Sequence, residues 1–129
     1  MDSKKIILCD TNIFIEYFHG DEKIISELDY LGFERLSLSV VSVAEIYFGM
    51  RKKETQITRE LLRKFNLIHL DKGTSQSFVQ FMLGSKKKGI KIPDALIAAS
   101  SVYNNVELFT LNRKDFDFIS NLRLYNPKF

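Results

Sequence analysis

The sequence predicts an α/β fold with a mainly parallel sheet of four to five strands, covered by helices on both faces. Short apolar runs without polar alternation recur along the chain, as in strands that are buried on both sides. Segments with helical spacing separate these runs, and right-handed crossovers of this kind place successive strands parallel. With 129 residues, 45% of them apolar, we expect a single domain over residues 1–129.

The N-terminal half alternates strand and helix signals. Asp21 is a favoured N-cap for the second helix, and Gly32 is a favoured residue at its C-terminal end. Ser42 and Thr55 are read in the same way, as the starts of the next two helices. The predicted strands are Lys5–Cys9 and Leu36–Val40, and the predicted helices are Asn12–Phe18, Glu22–Leu31, Ser42–Lys53 and Thr55–Phe65.

The C-terminal half continues the same alternation. Pro93 suits the first position of a helix, where its missing N–H costs nothing. The segment after it is rich in alanine and apolar residues, which is typical of a central helix. The predicted helices are Thr74–Lys87, Asp94–Tyr103 and a short one at Asp115–Ile119, and the predicted strands are Leu67–Leu70, Glu107–Leu111 and an edge strand at Arg123–Tyr125.

Composition limits the class of protein. The longest apolar run is far shorter than the ~20 residues that a membrane span needs, and the start of the chain lacks a secretory signal. A single cysteine, Cys9, excludes a disulfide framework and is read as a small buried hydrophobe, so we expect a cytoplasmic protein with no membrane partner. The net charge of +3 is mildly basic and suits a phosphate-backbone ligand. The cations cluster in Arg51–Lys53, in Arg59, Arg63 and Lys64, and in Lys86–Lys88 with Lys91.

Acidic or amide residues lie at the end of several predicted elements. Asp10 follows the first strand, Glu45 and Asp94 lie in the first turns of their helices, and Asn112 and Asp115 follow the Glu107–Leu111 strand. In an open parallel sheet the carboxyl ends of the strands form one edge, where ligands bind. The sequence therefore predicts that these side chains converge at that edge.

A cluster of this kind requires a cation. Two carboxylates about 4 Å apart repel by roughly 4 kcal/mol at an effective dielectric of ~20. Several such pairs rival the ~5–15 kcal/mol that holds a domain folded, so protons or a metal must relieve them. Oxygen ligands without cysteine or histidine suit Mg²⁺ or Mn²⁺. Such a metal activates water and stabilises charge on a phosphoryl group, which indicates phosphodiester hydrolysis.

Each of these residues also has a purely structural interpretation. Asp10 is a favoured helix N-cap, and Ser42-Val43-Ala44-Glu45 matches a capping box. Asp94 would be stabilised in the first turn of its helix by the helix dipole. Either Asn112 or Asp115 could cap the short helix that follows, and spacing does not decide which of the two completes the site.

Taken together, the motifs resemble those of the PIN domain family, in particular the VapC toxins of toxin–antitoxin pairs. The resemblance covers nearly the whole chain in family order. It rests on Asp10-Thr11-Asn12 after the first strand, on Ser42-Val43-Ala44-Glu45, on Pro93 to Ala99, and on Thr110 to Phe116.

The resemblance implies a metal-dependent endoribonuclease. Asp10, Glu45 and Asp94 would bind Mg²⁺ or Mn²⁺ directly or through water, with Asn112 or Asp115 as the fourth member. Thr11 or Thr110 would orient one of these ligands. The resemblance also implies a homodimer and a cognate antitoxin, which packs along an apolar groove. The helix of Phe14, Tyr17 and Phe18 and the helix of Ile46 and Tyr47 are expected to supply that groove.

One departure from the family pattern bears on this interpretation. The fourth position is often Asp in PIN domains, so Asn112 leaves the site one charge poorer unless Asp115 contributes.

The alternative function is a catalytically inactive PIN-like binding module. Phosphatases of the haloacid dehalogenase type need a second Asp where this chain has Asn12, and a receiver domain needs paired acids after the first strand.

Overall fold

The computed structural model describes residues 5–85 and 89–129 and confirms the predicted fold class. Its sheet contains four strands in the order β3-β2-β1-β4, and every pair of neighbours is parallel. Cys9, at the end of β1, lies opposite Leu38 on β2 and Phe109 on β4. The strands are β1 Ile7–Cys9, β2 Leu36–Ser39, β3 Asn66–Ile68 and β4 Glu107–Phe109.

Helices connect the strands and cover both faces of the sheet. Asp21 caps α2 as predicted, and its side chain accepts hydrogen bonds from the backbone N–H groups of Lys23 and Ile24. Gly32 ends this helix with φ of +85°, a conformation that favours glycine. The helices are α1 Thr11–Phe18, α2 Glu22–Leu31, α3 Val40–Gly49, α4 Thr55–Leu62, α5 Lys72–Gly84 and α6 Ile92–Tyr103.

The central strand β1 is buried between two apolar clusters. Ile7 and Cys9 point to one face of the sheet, where they pack with side chains of α1, α2 and α3. Leu8 points to the other face and packs with Ile97 and Ala98 of α6. Cys9 is fully buried, in agreement with its predicted role as a small hydrophobe. Among the described helices none is both long enough and apolar enough to cross a membrane.

The predicted start of α3 at Ser42 is wrong. The helix begins at Val40, and Ser39 is its N-cap, with Oγ accepting a hydrogen bond from the backbone N–H of Val41. Since the strand turns directly into the helix at Ser39, Ser42 is already inside the first turn. The predicted capping box of Ser42 and Glu45 is therefore absent.

Other boundaries differ by a few residues. Pro93 is the second residue of α6 and not the first, and Thr55 is the first residue of α4 and not its cap. The predicted edge strand Arg123–Tyr125 is reduced to one bridge, in which Leu124 pairs with Leu108. A 3-10 turn at Arg113–Asp115 replaces the predicted helix Asp115–Ile119.

The third strand is also displaced. It begins one residue before its predicted start and ends at Ile68, because the side-chain amide of Asn66 donates to the carbonyls of Glu34 and Leu36 and fixes the pairing there. The predicted end of α5 at Lys87 lies outside the described residues, as does the basic run Lys86–Lys88.

Candidate active site

Four acidic side chains from four parts of the chain meet at the carboxyl edge of the sheet. Asp10 follows β1, Glu45 lies on α3, Asp94 lies in the first turn of α6, and Asp115 lies in the 3-10 turn after β4. Burial raises the pKa of Asp10, and the negative charges of Glu45 and Asp115 raise it further. The predicted convergence of these side chains is thus observed, and they lie within electrostatic reach of one another.

Asp10 is held from both sides of its carboxylate. The side chain is only 5% exposed. Its Oδ1 accepts a hydrogen bond from the backbone N–H of Thr11 at 2.8 Å, and its Oδ2 accepts one from the Thr110 hydroxyl at 2.8 Å. These two bonds lower the pKa and partly oppose the effect of burial. The backbone N–H of Asp10 also donates to Phe109, which ties the residue to β4.

The structural and functional interpretations of Asp10 are compatible. Asp10 is the N-cap of α1, as its structural interpretation requires. Each of its oxygens accepts one hydrogen bond from the protein, and a carboxylate oxygen has two lone pairs. One lone pair on each oxygen therefore remains for a further partner.

Glu45 reaches the same edge from α3. It lies in the second turn of that helix and is exposed. Its Oε1 is 2.7 Å from the Thr11 hydroxyl, and the same hydroxyl is 2.8 Å from Ser42 Oγ. Thr11 therefore contacts both Asp10, through its backbone, and Glu45, through its side chain.

Asp94 completes the cluster from the opposite side of the sheet. Burial is the largest cause that raises its pKa, followed by the charges of Asp10, Asp115 and Glu45. The charge of Lys91, the N-cap of α6, opposes this rise. The position in the first helical turn gives the carboxylate the favourable end of the helix dipole, as predicted.

The two candidates for the fourth position behave differently. Asp115 is exposed, and its charge acts on both Asp10 and Asp94. Asn112 is also exposed and stands at the N-cap position of the 3-10 turn, where its side chain makes no capping bond. Its contact with the site runs through its backbone N–H, which donates to Thr110 Oγ1 at 3.0 Å. Asp115 thus brings charge, while Asn112 supports Thr110.

Asn12 was not predicted as a site residue. Its Oδ1 atom is buried and has no hydrogen-bond partner among the described residues. A buried carbonyl oxygen without a donor is costly, and such an atom indicates a partner that the protein alone does not provide. Asn12 belongs to the Asp10-Thr11-Asn12 triplet, which follows the first strand. The prediction of the site was based on the acidic residues and therefore did not include it.

The donor atoms of the site fit Mg²⁺ or Mn²⁺ by chemistry. They are carboxylate oxygens, and the acids repel one another. Among residues 5–85 and 89–129, however, no three acidic, histidine or cysteine side chains are close enough to form a ready-made set of ligands. Mg²⁺ is usually held by one or two carboxylates and several retained waters, so it needs no such set.

A separate cavity of about 740 Å³ lies between α5 and α6 and contains none of the predicted site residues. Its lining includes Gly73, Phe81, Ala98, Tyr103 and Asn121. The acids lie instead at an open edge of the sheet. The predicted site for metal binding and phosphodiester cleavage is therefore at the carboxyl edge of the sheet and not in this cavity.

Comparisons with known proteins agree with this geometry. The chain is similar to the protein named Ribonuclease VapC1 of Methanocaldococcus jannaschii, with 28% identity over 125 residues, which cover 93% of this chain and 87% of that protein. The structure is similar to a toxin–antitoxin complex from Klebsiella pneumoniae, with 31% identity, a TM-score of 0.77, and coverage of 90% of this chain and 94% of that one. It is also similar to VapBC2 from Rickettsia felis bound to a promoter DNA fragment, with 27% identity, a TM-score of 0.81, and coverage of 95% and 99%.

The sequence profile described as PIN domain matches residues 7–121, from the first strand to beyond the 3-10 turn that carries Asp115. This range includes every residue that the motifs singled out, and the fold agrees over the same range. The chain belongs to the PIN domain family.

Proposed function

We propose that the protein is a metal-dependent endoribonuclease of the cytoplasm and the toxin of a toxin–antitoxin pair. The observation that carries the proposal is the convergence of Asp10, Glu45, Asp94 and Asp115 at one edge of the sheet. Without a cation this arrangement is unfavourable, since the acids raise the pKa values of Asp10 and Asp94. Relatives named as a ribonuclease and as toxin–antitoxin complexes support the same conclusion.

The residues proposed to hold the metal are Asp10, Glu45 and Asp94, with Asp115 or Asn112 as the fourth member. Bound Mg²⁺ or Mn²⁺ would supply an activated water and neutralise charge on the phosphoryl group. The protein contributes the fixed positions of the carboxylates. Thr11 and Thr110 hold Asp10 between them, and Thr11 also holds Glu45.

Basic residues outside the acid cluster are proposed to bind the RNA backbone. Lys52 and Lys53 precede α4, and Arg59 and Arg63 lie one turn apart at its C-terminal end, all of them exposed. Arg51 is less available because it pairs with Glu54 at 2.9 Å. Lysine and arginine that neutralise phosphates release counterions, which gives salt-dependent binding without sequence preference.

The test is cleavage of a mixed RNA pool by protein purified free of antitoxin, with Mg²⁺ or Mn²⁺ and then with EDTA. The variant Asp10→Asn is matched to the site, because Asn caps a helix as well as Asp. It removes the charge and replaces one of the two acceptor oxygens by an NH2 group. We expect metal-dependent cleavage by the wild type and none by the variant. Asp21→Ala, which removes the cap of α2 far from the acids, serves as the control and retains cleavage.

The alternative function, a binding module without catalysis, has one observation in its favour: the described residues contain no ready-made set of three ligands. Titration of Mn²⁺ into the protein separates the two. A folded protein that binds no Mn²⁺ and cleaves no RNA would establish the binding module. One that binds Mn²⁺ but cleaves nothing in the pool would indicate a narrow RNA specificity.

Two of the side chains named for the predicted antitoxin groove lie in the core. Phe14 and Ile46 are 1% and 3% exposed, so neither is available to a partner, because both belong to the apolar core. On α3 the side chain of Phe48 is 95% exposed and Tyr47 lies beside it. We expect Phe48→Ser to abolish co-purification with a co-expressed cognate antitoxin, while RNA cleavage is retained.

We also propose a homodimer. Two exposed apolar side chains of α5, Val79 and Leu83, lie one helical turn apart, and Tyr103 of α6 is half exposed on the neighbouring helix. Sedimentation equilibrium is expected to give a dimer for the wild type and a monomer for Leu83→Glu. A wild-type monomer at micromolar concentration would contradict the proposal.

A further inference from the structure

Three side-chain oxygens form a chain beside the acid cluster. The Ser42 hydroxyl lies 2.8 Å from the Thr11 hydroxyl, which in turn lies 2.7 Å from Glu45 Oε1. Ser42 is fully buried, whereas Glu45 is exposed. Ser42 and Glu45 are three residues apart on α3 and therefore share one face of the helix. Thr11, the first residue of α1, bridges the two.

The number of protons fixes the direction of these bonds. A hydroxyl group has one proton to donate, and an ionised carboxylate can only accept. The single proton of Thr11 must therefore point to Glu45, since the carboxylate has none to offer. It follows that Ser42 donates its own proton to Thr11 Oγ1, so that the order of donation is Ser42 to Thr11 to Glu45.

Asp10 is held by the same arrangement at the neighbouring strand. The Thr110 hydroxyl donates to Asp10 Oδ2, and Thr110 Oγ1 accepts from the backbone N–H of Asn112. In both cases a threonine donates to a carboxylate while a second donor occupies its acceptor site. The second donor to Thr110 is the backbone N–H of Asn112, and the second donor to Thr11 is the side chain of Ser42. Of these two donors, only the Ser42 hydroxyl can be removed by substitution.

From this geometry we propose that Ser42 is a positioning residue for Glu45 and acts through Thr11. The inference rests on the proposed function, because it assigns Glu45 a place among the metal ligands. Glu45 is exposed, and its helix does not fix the direction of its long side chain. The Ser42 proton keeps the Thr11 hydroxyl turned toward Glu45 Oε1. Without it the hydroxyl is free to rotate, and the carboxylate loses a fixed partner.

The experiment measures Mn²⁺ affinity by calorimetry for the wild type, Ser42→Ala, Thr11→Val and the double variant. We expect each single variant to bind Mn²⁺ about tenfold more weakly, the lower end of the effect of residues that orient metal ligands. Since Ser42 acts through Thr11, the double variant should bind no more weakly than Thr11→Val alone. Thr11→Ser retains the hydroxyl and should restore nearly the affinity of the wild type.

Ser39→Ala is the matched control. It lies three residues before Ser42, is equally buried, and caps the same helix, with no hydrogen bond to Thr11 among the described residues. We expect it to lower the thermal midpoint of unfolding while Mn²⁺ affinity stays unchanged. A general loosening of α3 would weaken Mn²⁺ binding in both variants and would overturn the proposal.

The remaining outcomes separate this inference from the proposed function. If the wild type binds Mn²⁺ and Ser42→Ala binds it equally well, Ser42 has no positioning role and the proposed function stands. If the effects of Ser42→Ala and Thr11→Val add in the double variant, Ser42 acts independently of Thr11 and the inference is wrong. A wild type that binds no Mn²⁺ overturns both.

Discussion

Among the described residues, the carboxylates of Asp10 and Glu27 are almost fully buried, and they lie in different surroundings. Asp10 is 5% exposed at the carboxyl edge of the sheet, and Glu27 is 4% exposed on α2. Glu27 accepts a hydrogen bond from the Tyr125 hydroxyl, and its two oxygens each lie 3.2 Å from the backbone nitrogen of Lys128. Each of the two acids thus accepts a hydrogen bond from a hydroxyl that is distant in sequence, that of Thr110 for Asp10 and that of Tyr125 for Glu27.

The charges around them differ. The charges of Glu45 and Asp115 surround Asp10 and raise its pKa beyond the effect of burial. Beside Glu27, burial and then the bond to the carboxylate raise the pKa of Tyr125, and the charge of Arg35 is the smallest of the causes that act on it. Hydrogen bonds therefore hold both acids. Asp10 differs in that it belongs to a cluster of four acids, so we expect the two residues to respond differently to substitution.

The largest effect expected from this comparison is on cleavage. Asp94→Asn should lower the rate of RNA cleavage at least about a hundredfold, because even residues that only orient metal ligands cost 10–100-fold. Without metal the variant should be as stable as the wild type or more so, since a partly buried repulsion is relieved. Cleavage assays and urea unfolding test the two statements. An Asp94→Asn protein that unfolds would make Asp94 a structural residue like Glu27.

The second prediction concerns Glu27. Glu27→Ala should destabilise the protein by about 3 kcal/mol, because hydrogen bonds to charged groups contribute ~1.5–3 kcal/mol each and the partly buried Tyr125 hydroxyl would lose its acceptor. Asp10→Asn without metal should have no such cost. Urea unfolding measures both, with Glu22→Ala on the exposed face of the same helix as control. Equal losses of unfolding free energy in Glu27→Ala and Asp10→Asn would mean that both carboxylates stabilise the fold in the same way.

The third prediction is a dependence on pH. The folded-state pKa values of Asp10 and Asp94 are raised, so the folded metal-free protein binds protons more readily than the unfolded chain. Its stability from these groups should therefore increase as the pH falls through the raised pKa values towards the ordinary range of an aspartate, and be lost again as the pH rises. Over the same range Mn²⁺ affinity should fall, because the ligands must be deprotonated.

Urea midpoints across this range, measured with and without Mn²⁺, check the prediction. The double variant Asp10→Asn and Asp94→Asn should show a weaker dependence on pH than the wild type. A wild-type protein whose metal-free stability falls over the same range would mean that other titrating groups outweigh these two acids.

The smallest expected effect is on the salt dependence of RNA binding. Arg59→Ala with Arg63→Ala should weaken binding in EDTA, and the slope against salt should become shallower by about 0.7 per lost phosphate contact. Filter binding over a range of salt concentrations measures this, with Lys23→Ala on α2 as control. An unchanged slope would assign these arginines to a solvated helix face. The same test applies to Lys86–Lys88, which lie outside the described residues.

The sequence predicted the fold and the meeting of the acids because both depend on simple periodicities. Continuous apolar runs mark strands such as Ile7–Cys9, and parallel strands present their carboxyl ends at one edge. Asp10, Glu45 and Asp94 follow from that rule, whereas the rule did not decide between Asn112 and Asp115. The assignment of the chain to the PIN domain family from its motifs is likewise confirmed.

The sequence did not predict which of two nearby serines would be the N-cap of α3. Ser39 and Ser42 are equally good N-caps by type, and only the end of β2 decides that Ser39 caps α3. Because Ser39 is the N-cap, the Ser42 hydroxyl is not used for capping and forms a hydrogen bond with Thr11. In the same way, an apolar residue on a helix can be core or surface, and only packing shows that Ile46 is buried while Phe48 is exposed.

The position of Cys9 has a practical consequence for measurement. It is the one cysteine of the chain, it lies in the central strand beside Asp10, and burial raises the pKa of its thiol. A thiol reagent attacks the thiolate, so it reaches Cys9 only when the centre of the sheet opens. The rate of labelling by such a reagent therefore reports the opening equilibrium of the strand that carries the site. No dye or engineered probe is needed to follow it.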